Sequence, residues 1–120
     1  MDLHDRRRDQ RTRISATAHI LVRGGPIPVE MIDASVRGLF LRMPEAPPIR
    51  QLVKLAIDLP NGTRVFHAVV VRIVEDQLGR AGVGFRFFAL NGENKTEWES
   101  FVAQALRHAQ AASLANNRAA

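Results

Sequence analysis

The chain has no cysteine and no tyrosine, a single tryptophan and only two lysines in 120 residues. Without thiols there is no disulfide and no thiolate metal site, which fits a reducing compartment. No apolar run approaches the roughly 20 residues that a membrane-spanning helix needs. The opening MDLHDRRRDQ has no apolar segment behind its basic residues, so it does not read as a secretory signal. A cytoplasmic protein with no membrane span is expected. Catalytic groupings are missing too. His4, His19, His67 and His108 are scattered without metal-ligand spacing, and no serine stands in a nucleophile-elbow context. No two carboxylates share one face in an apolar setting. No catalytic residue, metal or cofactor is therefore assigned, and an enzyme is not expected.

What is present is a modest core and an excess of arginine. Hydrophobic residues make up 46% of the chain and charged residues 24%, enough for one small domain and against wholesale disorder. The net charge is +5, but it is spread out. Residues 1–13 set five arginines against Asp2, Asp5 and Asp9, a local +2. The remainder sets twelve basic against nine acidic residues, +3. There is no extended polybasic arm.

Periodicity predicts about six short strands and one helix. ISATAHILV (14–22) is β-branched and apolar and ends at Gly24-Gly25-Pro26. IPVEMID follows, with Pro28 marking an edge position or an irregular start. LFLRM, then the proline-rich loop PEAPPI, lead to QLVKLAIDL. Asn61-Gly62 in PNGT signals a hairpin, with both residues supplying positive φ. RVFHAVVVRIVE is the longest strand, and DQLG turns it into RAGVGFRFFAL. Glycines in GVGF at 82–85 read as room for strands to bend or approach, since no helix follows them as a phosphate loop requires. Trp98, Phe101, Val102, Ala105, Leu106 and Ala109 then fall on one helical face. Thr96 with Glu99 fits a capping box, and Asn91 is a competing cap. Short turns between antiparallel strands favour a meander or small barrel closed by that helix.

Two clusters remain after the core is assigned. RRRDQRTR, residues 6–13, holds five arginines, and an Arg-x-x-x-Arg pair fits it in one register only: Arg7 with Arg11. Starting at Arg6 leads to Gln10, and starting at Arg8 leads to Thr12. DASVRG, residues 33–38, is by itself an ordinary turn, with Asp and Ser bonding nearby backbone amides. One strand and its return connect the two clusters, so antiparallel pairing brings the arginines near the turn.

Arg7-x-x-x-Arg11 followed by Asp33-x-Ser35-x-x-Gly38 resembles the two-part signature of PilZ domains, receptors for the bacterial second messenger cyclic di-GMP. The resemblance covers nearly the whole chain. It implies a mainly β fold: a six-stranded antiparallel β-barrel with a C-terminal α-helix and a flexible N-terminal arginine-rich segment. The division implied is a flexible ligand-binding segment over 1–12, barrel and helix over 13–112, and a frayed polar tail over 113–120. It also implies that Arg7, Arg11, Asp33, Ser35 and Gly38 bind the nucleotide, with Arg6, Arg8 and Arg72 as weaker candidates. Arg6, just before the pair, favours two nucleotides per domain. The chemistry suits these residues. Guanidinium groups fork onto phosphate oxygens, donate to guanine O6 and N7, and stack on bases, which lysine does poorly. The Asp33 carboxylate can accept from the guanine N1 and N2 donors.

The resemblance further implies that the ligand orders the N-terminal segment over itself and changes a surface shown to an effector protein not identified by sequence. Two alternatives stand beside this reading. One is a PilZ-like barrel that binds no nucleotide and acts as a protein–protein interaction module. The other is a non-specific nucleic-acid-binding barrel. Against the latter, such binders interleave aromatics with basic residues on an exposed sheet, and this chain has no tyrosine and keeps its tryptophan in the helix stripe.

Overall fold

A computed structural model describes residues 10–75 and 79–119, with side chains described as far as residue 112. Its strands are β1 (Thr12–Arg13), β2 (Thr17–Val22), β3 (Gly25–Ala34), β4 (Gly38–Met43), β5 (Leu52–Leu59), β6 (Gly62–Glu75) and β7 (Ala81–Phe87). Helix α1 follows, Gly92–Ala119, so residues 113–119 of the stretch read from sequence as a polar tail are helical.

All pairings are antiparallel, in the order β3-β2-β5-β6-β7-β4, and β4 pairs back to β3. Six strands thus close a barrel and leave no free sheet edge between them. The seventh, β1, is a two-residue addition against the end of β3, with Thr12 opposite Ala34 and Arg13 opposite Asp33. The strand expected over 14–22 is broken because Ile14 turns into the core while the ladder with β3 resumes only at Thr17. Pro28 lies where β3 pairs with β2 but has not yet met β4. Its missing N–H therefore faces an unpaired side, the edge-like position proline requires.

Alternation fills the barrel. Leu39, Leu41 and Met43 of β4, Val53, Leu55, Ile57 and Leu59 of β5, and Phe66, Ala68 and Val70 of β6 are all buried. A bulge at Val71 on β6 resets the register, so that Val70 opposes Phe85 and Arg72 opposes Gly84. The β5–β6 hairpin differs from the sequence expectation. Leu59 pairs with Gly62, so the loop residues are Pro60 and Asn61, and of Asn61 and Gly62 only Gly62 takes a positive φ, +128°. Asn61 instead donates to the Glu97 carboxylate on α1 at 3.1 Å.

Asn91 immediately precedes the helix, and its carbonyl accepts from the Lys95 N–H. Thr96 is not a cap: it lies inside the helix and its hydroxyl bonds the Gly92 carbonyl. Trp98 and Val102 are buried, with Phe101, Ala105 and Leu106 packed beside them. Trp98 meets Phe66, Phe87 and Phe101 at ring-centroid distances of 5.7, 4.9 and 5.7 Å. This aromatic cluster seats α1 on the barrel. Arg64 and Asn94 stitch the first helical turn to β6, Arg64 to the Asn94 side chain and Asn94 to the Val65 carbonyl.

Candidate functional site

The turn between β3 and β4 is held from three sides. Its own closure is the Ser35 N–H donating to the Gly38 carbonyl at 2.9 Å. From β7, the Phe87 N–H donates to the Arg37 carbonyl, also at 2.9 Å. From α1, the Trp98 indole N–H donates to the Ser35 carbonyl at 2.9 Å. Gly38 is obligatory for a steric reason. A Cβ there would press into the Phe85 carbonyl group, with Phe85 C at 3.1 Å, its oxygen nearer still, and Arg86 Cα at 3.3 Å. Strand β7 therefore occupies the space beside Gly38.

Arg11 precedes β1, and the short β1–β3 pairing brings it to the turn. Its guanidinium donates to the Asp33 carboxylate at 2.6 Å. Both side chains are partly exposed, so the pair adds little to stability, about 0–1 kcal/mol. Its effect is geometric: it holds a guanidinium beside the turn. The two meet in a notch of about 110 Å³ lined by Arg11, Ser35, Arg37, Gly38, Val71, Phe85 and Arg86. The Ser35 residue is only 3% exposed. Its hydroxyl makes no hydrogen bond among the described residues, although its backbone N–H and carbonyl are both satisfied.

Of the residues singled out from sequence, Arg11, Asp33, Ser35 and Gly38 come together. Arg6, Arg7 and Arg8 lie outside the described residues. Arg72 does not line the notch: its guanidinium lies 5.2 Å from the centroid of the Phe40 ring, on the outer face where Gly84 leaves room for it. Four lining residues were missed: Arg37, Val71, Phe85 and Arg86. Arg37 sits at a filler position within DASVRG. Arg86 comes beside Gly38 only through the β4–β7 register, and Val71 arrives through the β6 bulge. Among the described residues no group of His, Asp and Glu could hold a metal ion, and no helix is long and apolar enough to cross a membrane.

A larger cavity, about 1050 Å³, shares no residue with the notch. It is an apolar groove near the start of β5, lined among others by Ile20, Met43, Pro47, Leu52 and Val53. Three arginines around a buried, unpartnered hydroxyl make the notch the more chemically specific of the two: it can grip a small anionic or carbonyl-bearing group, not enclose a whole ligand.

Barrel, seated helix and arginine-lined turn together define a class, the six-stranded barrels whose β3–β4 turn carries an Asp-x-Ser-x-x-Gly element. Within that class the assignment is specific: the chain belongs to the PilZ domain family, whose model matches residues 5–104. Solved structures agree in fold. The PilZ domain of YcgR from Escherichia coli, solved with c-di-GMP, is 16% identical with a TM-score of 0.67, over 90% of this chain and 97% of that one. Escherichia coli YcgR in complex with c-di-GMP, in a second structure, gives 15% and 0.72, over 90% of this chain and 49% of that one. The Bacillus subtilis inhibitor of motility MotI/DgrA gives 18% and 0.68, over 83% of this chain and 49% of that one. The matched region thus spans about half the length of the MotI chain and of the YcgR chain in that second structure. A search of curated protein sequences finds no significant match.

Proposed function

We propose that the protein is a receptor for cyclic di-GMP and carries out no reaction of its own. One observation carries this reading: Arg11, Ser35 and Gly38, brought from two separate stretches of sequence, line one notch together with Arg37 and Arg86. Arg11, Arg37 and Arg86 bring three guanidinium-bearing side chains to one notch, and each offers a planar fork for a phosphate or a guanine edge. Asp33 accepts guanine N–H donors once Arg11 turns from the carboxylate to the ligand, and the Ser35 hydroxyl gains the partner it lacks. Membership of the PilZ family, and the c-di-GMP complexes of YcgR with the same fold, support the choice of ligand.

The notch holds only part of such a ligand, so the rest lies across the outer barrel face and is covered by the chain before β1. Arg7 closes over the nucleotide together with Arg11, and Arg6 and Arg8 supply further charge for a second, stacked nucleotide. Drawing the segment before β1 over the ligand changes the surface presented to an effector protein. Titration calorimetry with cyclic di-GMP at two salt concentrations, with GTP and a short RNA as controls, tests this. Selective, saturable binding that disappears in Arg11→Ala is expected, with the stoichiometry counting nucleotides. Absence of heat with cyclic di-GMP would overturn the reading. Equal binding of RNA with a steep salt dependence would also overturn it, in favour of a polyanion binder. Limited proteolysis tests the closure: the segment before β1 is expected to gain protection with ligand while the barrel is unchanged, and equal cleavage in both states would refute it.

A further inference from the structure

The turn that carries Ser35 is tied to the helix through one side chain. Trp98 is fully buried, and its indole N–H, the only polar group of its side chain, donates to the Ser35 carbonyl at 2.9 Å. Phe87 takes part twice. Its ring lies edge-on to Trp98 at 4.9 Å, and its N–H holds the Arg37 carbonyl. Two carbonyls of the turn are therefore fixed by groups that pack on each other. One belongs to α1 and the other to the end of β7.

We infer that Trp98 is a positioning residue for the nucleotide-binding turn, so that α1 and the ligand are thermodynamically coupled. This rests on the reading of the notch as the cyclic di-GMP site. With the donor gone, the Ser35 carbonyl is left unpaired in a dry setting, and the turn relaxes to find another partner. That relaxation moves the Ser35 hydroxyl relative to the Arg11–Asp33 pair. Linkage works in both directions: a ligand that favours the held turn also favours the seated helix, by the same factor. Occupancy of the notch is thereby felt along α1, whose residues 107–112 are exposed and available to a partner.

A purely structural tryptophan would fill the core and nothing more, and two variants separate the roles. Trp98→Phe keeps an aromatic ring among Phe66, Phe87 and Phe101 but removes the donor. Val102→Ala, also fully buried on α1, removes core volume and leaves the bond intact. Both are made in the full chain. Amide exchange is followed by NMR at Ser35 and Phe87 without nucleotide, and cyclic di-GMP affinity by calorimetry. In Trp98→Phe both amides are expected to exchange at least about tenfold faster than in Val102→Ala after correction for global stability. Its Kd is expected to rise about fivefold or more, the lower end of ordinary coupling. Val102→Ala is expected to bind within about twofold of wild type, its ΔΔG being spent on the core. Trp98 is the only tryptophan, so the wild-type indole N–H gives one resolved resonance and a measurement that needs no variant. It is expected to shift and to exchange more slowly at saturating nucleotide.

Unchanged exchange and Kd in Trp98→Phe would overturn the inference. So would an indole resonance unmoved by bound nucleotide. Should wild type give no heat with cyclic di-GMP, the reading of the site fails on its own, and the ligand-free exchange comparison still decides whether Trp98 positions the turn.

Discussion

Three glycines on β4 and β7 form a graded steric series, and replacing each with alanine tests how tightly the turn is built. At Gly38 the new methyl meets backbone: the Phe85 carbonyl carbon at 3.1 Å, its oxygen nearer, and Arg86 Cα at 3.3 Å. Backbone in a closed ladder cannot swing aside. Relief requires β4 and β7 to part by about 1 Å at the Gly38–Arg86 rung, enough to weaken the hydrogen bonds around it. Overpacking of this kind costs about 1–3 kcal/mol, and one or two weakened ladder bonds add about 1 kcal/mol. Against that, alanine recovers about 0.5–1 kcal/mol of chain entropy relative to glycine. Gly38→Ala is therefore expected to destabilise the barrel by about 2–3 kcal/mol.

At Gly82 the methyl meets the rim of the Phe40 ring, Cζ at 2.5 Å and Cε2 at 3.0 Å. Phe40 is on the outer face and can rotate away, so the expected loss is smaller, about 1 kcal/mol. At Gly84 the nearest atom is Arg72 Cβ at 3.4 Å, an ordinary contact, and the entropy gain leaves the change within about 0.5 kcal/mol of zero. Urea unfolding of the three variants at constant m-value measures the series. An order other than Gly38 worst and Gly84 mildest, or a Gly38→Ala loss below about 0.5 kcal/mol, would show that β4 and β7 are not locked as described. Because the Ser35 N–H bonds to the Gly38 carbonyl, Gly38→Ala is also expected to weaken cyclic di-GMP binding at temperatures where the variant is still folded.

Arg11→Lys keeps the charge beside Asp33 but loses the fork, so cyclic di-GMP affinity by calorimetry is expected to fall at least about tenfold, with stability within about 0.5 kcal/mol of wild type. Affinity retained within twofold would mean that Arg11 acts only as a point charge. Arg86→Ala removes an exposed side chain opposite Gly38 and is expected to weaken the nucleotide several-fold and to flatten the salt dependence of Kd. An unchanged salt slope would place Arg86 outside the site.

The fold was legible because its signals are local. Alternation along QLVKLAIDL and RVFHAVVVRIVE, the Pro60–Gly62 turn and the Trp98–Val102 stripe each declare an element, and the elements then admit few arrangements. The site was legible only in part. Arg11, Asp33, Ser35 and Gly38 lie within motifs whose spacing can be read from the chain. Arg86 and Val71 cannot be found that way, because their places depend on a strand register and on a bulge that slips it by one residue. Trp98 carried a helix signal strong enough to hide its second use: an indole on an apolar stripe reads as core, and its hydrogen bond reaches a residue 63 positions away. Thr96 shows the opposite error, a good capping pattern one turn too late, overridden by the earlier start after Asn91.

Gly38 and Ser35 do not argue for a ligand equally. The β4–β7 packing demands Gly38 whether or not anything binds, so a barrel that had lost its nucleotide would keep it. Ser35 is different. The fold uses its N–H and its carbonyl, which any residue has, and leaves its hydroxyl buried without a partner among the described residues. Alanine would serve the barrel better, since an unsatisfied buried hydroxyl costs about 1–3 kcal/mol. Ser35→Ala is accordingly expected to raise the unfolding free energy by about 1 kcal/mol while weakening cyclic di-GMP by about tenfold, a trade of stability for function. Denaturant unfolding and calorimetry on the same protein read both quantities. A Ser35→Ala barrel that is less stable than wild type and binds equally well would mean that the hydroxyl serves the fold, and the case for the notch would then rest on its arginines alone.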